Sequence, residues 1–176
     1  SGKVHSLALE SLSLKASASG GPVTLAARGL YNHEPFEIEA ASCSLTAARE
    51  PHTLCRLNAA ARVAGAQITM DGSLHDLWST KGISLRLKAE GPSIKRVWKY
   101  VGRDVDVPDL GSFRAAADLV DHGGILELEG LVLEAGDGDV LHIWVTGGIK
   151  DLRTLLGMRL DLIVEGRDPP GIARRY

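Results

Sequence analysis

Apolar and polar residues alternate with a period of two through most of this chain, a pattern that fits half-buried β-strands and little else. Phe36, Ile38 and Ala40 alternate with Glu37 and Glu39, and Leu85, Leu87 and Ala89 with Ser84, Arg86 and Lys88. Phe113, Ala115, Ala117 and Leu119 form a third series. Leu141, Ile143 and Val145 alternate with His142, Trp144 and Thr146, and Leu160, Leu162 and Val164 form another such run. One face of each strand is apolar and the other mostly polar, which suits an antiparallel sheet with one wet side.

Two runs change phase in the same way. In Leu7-Ala8-Leu9-Glu10-Ser11-Leu12-Ser13-Leu14 the leucines move from odd to even positions after Leu9, and in Leu126 to Leu133 the shift follows Leu128. One extra residue at each place keeps every leucine on one face, as a β-bulge does, and adds twist and curvature. Turn signals separate the runs at Gly20-Gly21-Pro22, Tyr31-Asn32-His33-Glu34-Pro35, Gly123-Gly124 and Gly136-Asp137-Gly138-Asp139. The total is about ten strands. One segment reads as a helix: Ser93 as N-cap, then Ile94, Val97, Trp98 and Val101 at helical spacing, with Gly102 as its end. Asp151 to Leu156 reads as a short turn, expected to be a second, weaker helical piece.

The chain also repeats itself. Gly72-Ser73-Leu74-His75-Asp76-Leu77 returns 75 residues later as Gly147-Gly148-Ile149-Lys150-Asp151-Leu152, so residues 68–97 match 143–173. Leu7 to Ala16 returns as Leu126 to Ala135 at an offset of 119. The second copy runs out at Asp168-Pro169-Pro170, where its helix is expected. Residues 1–176 are therefore read as a single fragment of a longer repetitive protein.

Composition removes several functional classes. The net charge of −2 offers no basic field for nucleic acid. No apolar stretch approaches the roughly 18 residues of a membrane helix, and no charged leader precedes an apolar run. The six histidines lie far apart, without H-x-x-x-H or H-x-E spacing, and no serine sits in a Gly-x-Ser-x-Gly setting. Asp104, Asp106 and Asp109 lack the glycine and terminal glutamate of a calcium loop, and Gly136 to Asp139 reads as a turn. No catalytic residue, metal ligand or cofactor site emerges. Lys95, Arg96 and Lys99 make a basic helix face, read either as a solvated surface or as a contact for lipid headgroups. Cys43 and Cys55 flank the turn signal Glu50-Pro51-His52-Thr53. They are either a disulfide formed in an oxidising compartment or two buried thiols.

Several motifs occur together in one order. Val107-Pro108-Asp109-Leu110-Gly111-Ser112-Phe113-Arg114-Ala115 is followed by the bulged run Leu126 to Leu133 and by Glu134 to Asp139. Gly147-Gly148-Ile149-Lys150-Asp151-Leu152 and Gly157-Met158-Arg159-Leu160-Asp161-Leu162 complete the series. Over about Phe36 to Gly166 this order resembles the AsmA family of bacterial envelope proteins, whose signature reads "LPDLGPFR". Ala135 departs from it, standing where the family usually has leucine.

The resemblance implies a periplasmic β-groove, with the full-length protein anchored in the inner membrane, that binds or conducts phospholipid or another acyl-chain lipid for outer-membrane lipid transport and envelope assembly. It also implies envelope protein partners at the groove ends. Pattern alone favours a closed sandwich or barrel filled by its own leucines; the resemblance reverses that preference. Composition agrees with the open form, because a chain 44% hydrophobic but only 5% aromatic leaves room for something flexible.

The expected fold is therefore all-β and mainly antiparallel, a curved, twisted groove with an apolar concave face and one short helix. On that face the lipid-lining residues are expected to be Leu7, Leu9, Leu12, Leu14, Val23, Leu25, Phe36, Ile38, Leu85, Leu87, Phe113, Leu126, Leu128, Leu131, Leu133, Leu141, Ile143, Leu160 and Leu162. The competing reading is a non-catalytic, chaperone-like scaffold whose sheet edges take up a partner's strand.

Overall fold

The structure, a computed structural model, describes residues 6–17, 20–47, 50, 53–76, 81–100, 110–136 and 141–166. Ten strands follow one another: β1 (Leu7–Lys15), β2 (Val23–Tyr31), β3 (Glu34–Ser42), β4 (Cys55–Val63), β5 (Ala66–Asp76), β6 (Lys81–Gly91), β7 (Phe113–His122), β8 (Ile125–Ala135), β9 (Leu141–Ile149) and β10 (Arg159–Gly166). The helix α1 (Ile94–Tyr100) lies between β6 and β7. Each strand pairs antiparallel with the next, giving one sheet in sequence order. The sheet is open and curled. Among the described residues β1 and β10 do not pair with each other, so the closed barrel that pattern alone favours does not form.

Register explains why a single layer holds together. Cross-strand partners point to the same face. From β1 to β10 one row runs Leu12, Ala27, Ile38, Ala61, Ile68, Ala89, Ala115, Leu133, Val145, Leu162, without one polar side chain. On the opposite face a row of charge reads Arg28, Glu37, Arg62, Gln67, Glu90, Arg114, Glu134. Glu37 takes Arg28 at 3.2 Å and Arg62 at 3.5 Å, and Arg86 meets Asp118 at 3.0 Å. Each exposed pair contributes little alone, about 0.2–1 kcal/mol. Together they fix register against a one-residue slip, which would bring the apolar rows to the wet face.

Both bulges fall where the leucine phase changes. Register shifts between Leu9 and Ser11 in β1, and between Leu128 and Leu131 in β8, where Gly130 has φ 57°. Hairpin turns at Asn32-His33 and Gly123-Gly124 use positive φ at both positions, matching the strand twist. Ala64-Gly65 makes a third such turn that carries no strong sequence signal. Ser93 caps α1, its Oγ accepting the Arg96 N–H at 3.3 Å. The expected helix end at Val101-Gly102, the acidic loop Asp104 to Asp109, and Asp137 to Asp139 lie outside the described residues.

Asp151 to Leu156 corrects the sequence reading. It is a hydrogen-bonded turn, not a helical piece. The Asp151 N–H donates to the Leu156 carbonyl at 3.1 Å, Leu155 has φ 57°, and the Asp151 carboxylate accepts the Arg153 N–H at 2.9 Å. That last bond and the Thr154 hydroxyl, the larger cause, hold the Asp151 carboxyl below its ordinary pKa.

Cys43 and Cys55 are bonded, with an S–S distance of 2.00 Å, and tie the end of β3 to the start of β4. Cys55 is 2% exposed. Closing a loop with a sequence separation of 12 restricts the unfolded chain by about 3 kcal/mol in the entropy model. Replacing both cysteines by alanine is expected to lower Tm by about 9 °C. Thermal melts with and without reductant check this, since reductant should shift the native chain alone.

Candidate functional site

The most extended feature of the sheet is its apolar face. All nineteen residues expected on one face share it, because the register carries a single apolar side from β1 to β10. Their exposure is uneven. In β6 Leu85 is buried and Leu87 and Ala89 are half-buried, while Ser84, Arg86, Lys88 and Glu90 are exposed. The apolar face is thus the more protected of the two. At the two outer strands that protection ends: Leu12 is 61% and Leu162 62% exposed.

Many side chains on this face are small. Ala27, Ala61, Ala89 and Ala115 alternate with or adjoin larger aliphatics along the central row, and Ala40, Ala59 and Ala117 do the same in the next. Ala40, Ala89, Ala115 and Ala117 belong to the alternating runs read from sequence but not to the expected lining, whereas Ala27, Ala59 and Ala61 gave too little contrast to be picked out. Ile68 and Met70 were also missed, although they alternate with Gln67, Thr69 and Asp71 and so carried the signal.

Towards one end of the strands this face is packed over. Ile94 and Val97 of α1, with Leu110, pack against Ala66, Phe113 and Ala135. Tyr100 packs against the cluster of Ala27, Phe36, Val63 and Ala64, and its ring lies 4.9 Å from that of Tyr31. Burial, and secondarily Tyr31, raises the Tyr100 hydroxyl above its ordinary pKa. Phe36 and Phe113, expected as lining, therefore belong to the packed end and not to the open stretch.

The polar face holds features of its own. A depression of about 500 Å³ is floored by Ala26, Ala41 and Ala60 and edged by Lys15, Glu39 and Asp71. His122, Glu127 and Glu129 place ligand atoms within 4.8 Å of one another, and His122 Nε2 is already paired with Glu129 Oε1 at 3.0 Å. His142 stacks on Trp144 at 3.9 Å and meets Glu134 at 3.1 Å. None of these groups projects from the apolar face.

No family model, curated protein or solved structure matches this chain.

Proposed function

We propose that this chain is an acyl-chain-binding segment of an envelope lipid carrier, as its resemblance to the AsmA family implies, with phospholipid lying along the apolar trough. The observation that carries the reading is the unbroken apolar row from Leu12 to Leu162, crossing ten strands with no second sheet over it among the described residues. Contiguous apolar surface of this extent is unfavourable in water and marks an interaction site. Each methylene that a lipid tail buries there contributes about 0.8 kcal/mol. Alanines in the floor leave space for a flexible tail, and the charge-paired outer face keeps the assembly in water. The disulfide supports an oxidising compartment such as the periplasm.

Native mass spectrometry of protein purified from cells tests the reading. The expected result is copurified phospholipid, released when detergent competes for the trough. Protein that stays free of lipid, and takes up none from vesicles, would favour the scaffold that binds partner strands at its edges. Photocrosslinking adds a finer test. A photoreactive residue at Leu87 or Ile143 should label lipid, and one at Arg86 or His142, on the other face, should not; equal labelling at both pairs would reject the assignment.

A further inference from the structure

Three metal-binding side chains converge on the polar face of the β7–β8 hairpin. One ring nitrogen of His122 and one carboxylate oxygen from each of Glu127 and Glu129 lie within 4.8 Å of one another. His122 Nε2 is 3.0 Å from Glu129 Oε1. Register explains the convergence. His122 pairs with Ile125, Val120 with Glu127 and Asp118 with Glu129, so all three ligands stand on one face. Glu127 and Glu129 are two apart on β8, and His122 reaches them from β7 along the diagonal, a span that long side chains cover.

The strand itself does not require this set. β1 matches β8 at an offset of 119, and there Ala8 stands in the place of Glu127 while Glu10 keeps that of Glu129. The added carboxylate brings two negative charges side by side. Glu129 also faces Asp118 directly, a like-charge pair that weakens a sheet. The nearest bases are turned to other work. Arg86 holds Asp118 at 3.0 Å. Lys150 follows Ile149, the partner of Leu128, but its stem lies along Gly157 on the β10 side, where a Cβ would meet its Cβ, Cγ and Cδ at 2.9–3.0 Å. A cation held between the glutamates would relieve the repulsion.

We propose that His122, Glu127 and Glu129 form a binding site for a divalent transition-metal ion of the zinc type, with water completing its coordination. An imidazole with two carboxylates suits zinc better than the all-oxygen cages that calcium and magnesium take. Zinc binds such ligands at about 2.0–2.2 Å, so tetrahedral ligand atoms sit about 3.4 Å apart. The side chains of His122 and Glu129 are 54% and 50% exposed, and rotation brings the set to that spacing. The backbone beneath them is held from both sides. Asp121 Oδ2 accepts the Gly82 N–H at 2.6 Å and its Oδ1 the Gly124 N–H at 2.7 Å, while Arg153 Nη2 donates to the Gly124 carbonyl at 3.2 Å. The site lies on the face opposite the apolar one, so it stands apart from the lipid reading.

Isothermal titration with zinc chloride tests the site. It uses the full chain without an affinity tag, and without reductant so that the Cys43–Cys55 bond stays closed. One zinc ion per chain is expected, not displaced by excess Mg²⁺. Nitrogen NMR of the imidazole rings should show His122 shifting as zinc is added. Glu127→Gln keeps shape and removes charge, and should weaken binding about tenfold; His122→Ala should weaken it about 100-fold. His142→Ala is the control. His142 also meets a glutamate, Glu134, at 3.1 Å, but among the described residues no third ligand joins that pair. Its loss should leave zinc affinity unchanged. No zinc uptake by the native chain, native affinity in His122→Ala, or an equal loss in His142→Ala would overturn the inference. So would displacement of the zinc by Mg²⁺, which marks a diffuse acidic surface.

Discussion

Leu87→Asp and Ile143→Asp are expected to give folded protein that no longer carries lipid. Leu87 lies between Met70 and Ala117, and Ile143 between Ala135 and Val164, all on the apolar face. No cross-strand neighbour offers a carboxylate a hydrogen bond or a positive charge. With lipid tails against it the charged form loses its water at a cost of several kcal/mol. In a closed core that cost would fall on folding. In an open trough water enters when lipid leaves, so the cost falls on lipid binding. Circular dichroism should show an unchanged β-sheet signal and a cooperative melt, while native mass spectrometry shows the lipid lost. Because the tails raise the carboxyl pKa, retention should return as pH falls towards about 5 and the group protonates. Loss of the cooperative fold in both variants would count against the conduit.

The parts of this fold that were legible are those in which side chains contrast sharply. Leucine against glutamate or serine in β1 and β8 revealed both strands and both bulges, because a one-residue slip of an apolar series has few other causes. Ser93 and the 3.6-residue spacing after it revealed α1. The β4–β5 hairpin was hard to delimit because its signals are weak: alanines at 59, 60, 61, 64 and 66 blur the alternation, and an Ala-Gly turn relies on a positive φ that alanine seldom adopts. Asp151 to Leu156 looked helical because local carboxylate and hydroxyl bonds suit a helix start and a tight turn equally well. Openness was the least legible property of all. A strand with one apolar face reads the same whether its partner is another strand layer, a helix or a lipid. Pattern therefore placed these nineteen positions on one face but could not say that Phe36 and Phe113 sit under α1 while Leu12 and Leu162 lie open.

Gly72→Ala is expected to cost about 4 kcal/mol, and Gly147→Ala much less, although the local geometry of the two is nearly the same. Gly72 has φ 154° and Gly147 φ 148°, values that L side chains rarely adopt. In both, the added methyl would meet a carbonyl oxygen of the next strand at 2.0 Å, so the strands must part or the register must move. Backbone strain of about 1–3 kcal/mol and overpacking of similar size add at each site. What differs is what each hairpin supports. β5 and β6 have strands on both outer sides, so parting them cuts the sheet in half and removes both apolar clusters' common frame. Among the described residues β9 and β10 form the sheet's last hairpin, and β10 can fray alone, which limits the loss to that strand's own contacts. Thermal melts should show Tm falling by about 12 °C for Gly72→Ala. For Gly147→Ala the global melt should move by a few degrees, while hydrogen exchange in Arg159–Gly166 rises sharply and that in β5 and β6 stays slow. Equal falls in Tm for the two variants would mean that the β10 edge is as deeply tied into the cooperative unit as the middle of the sheet.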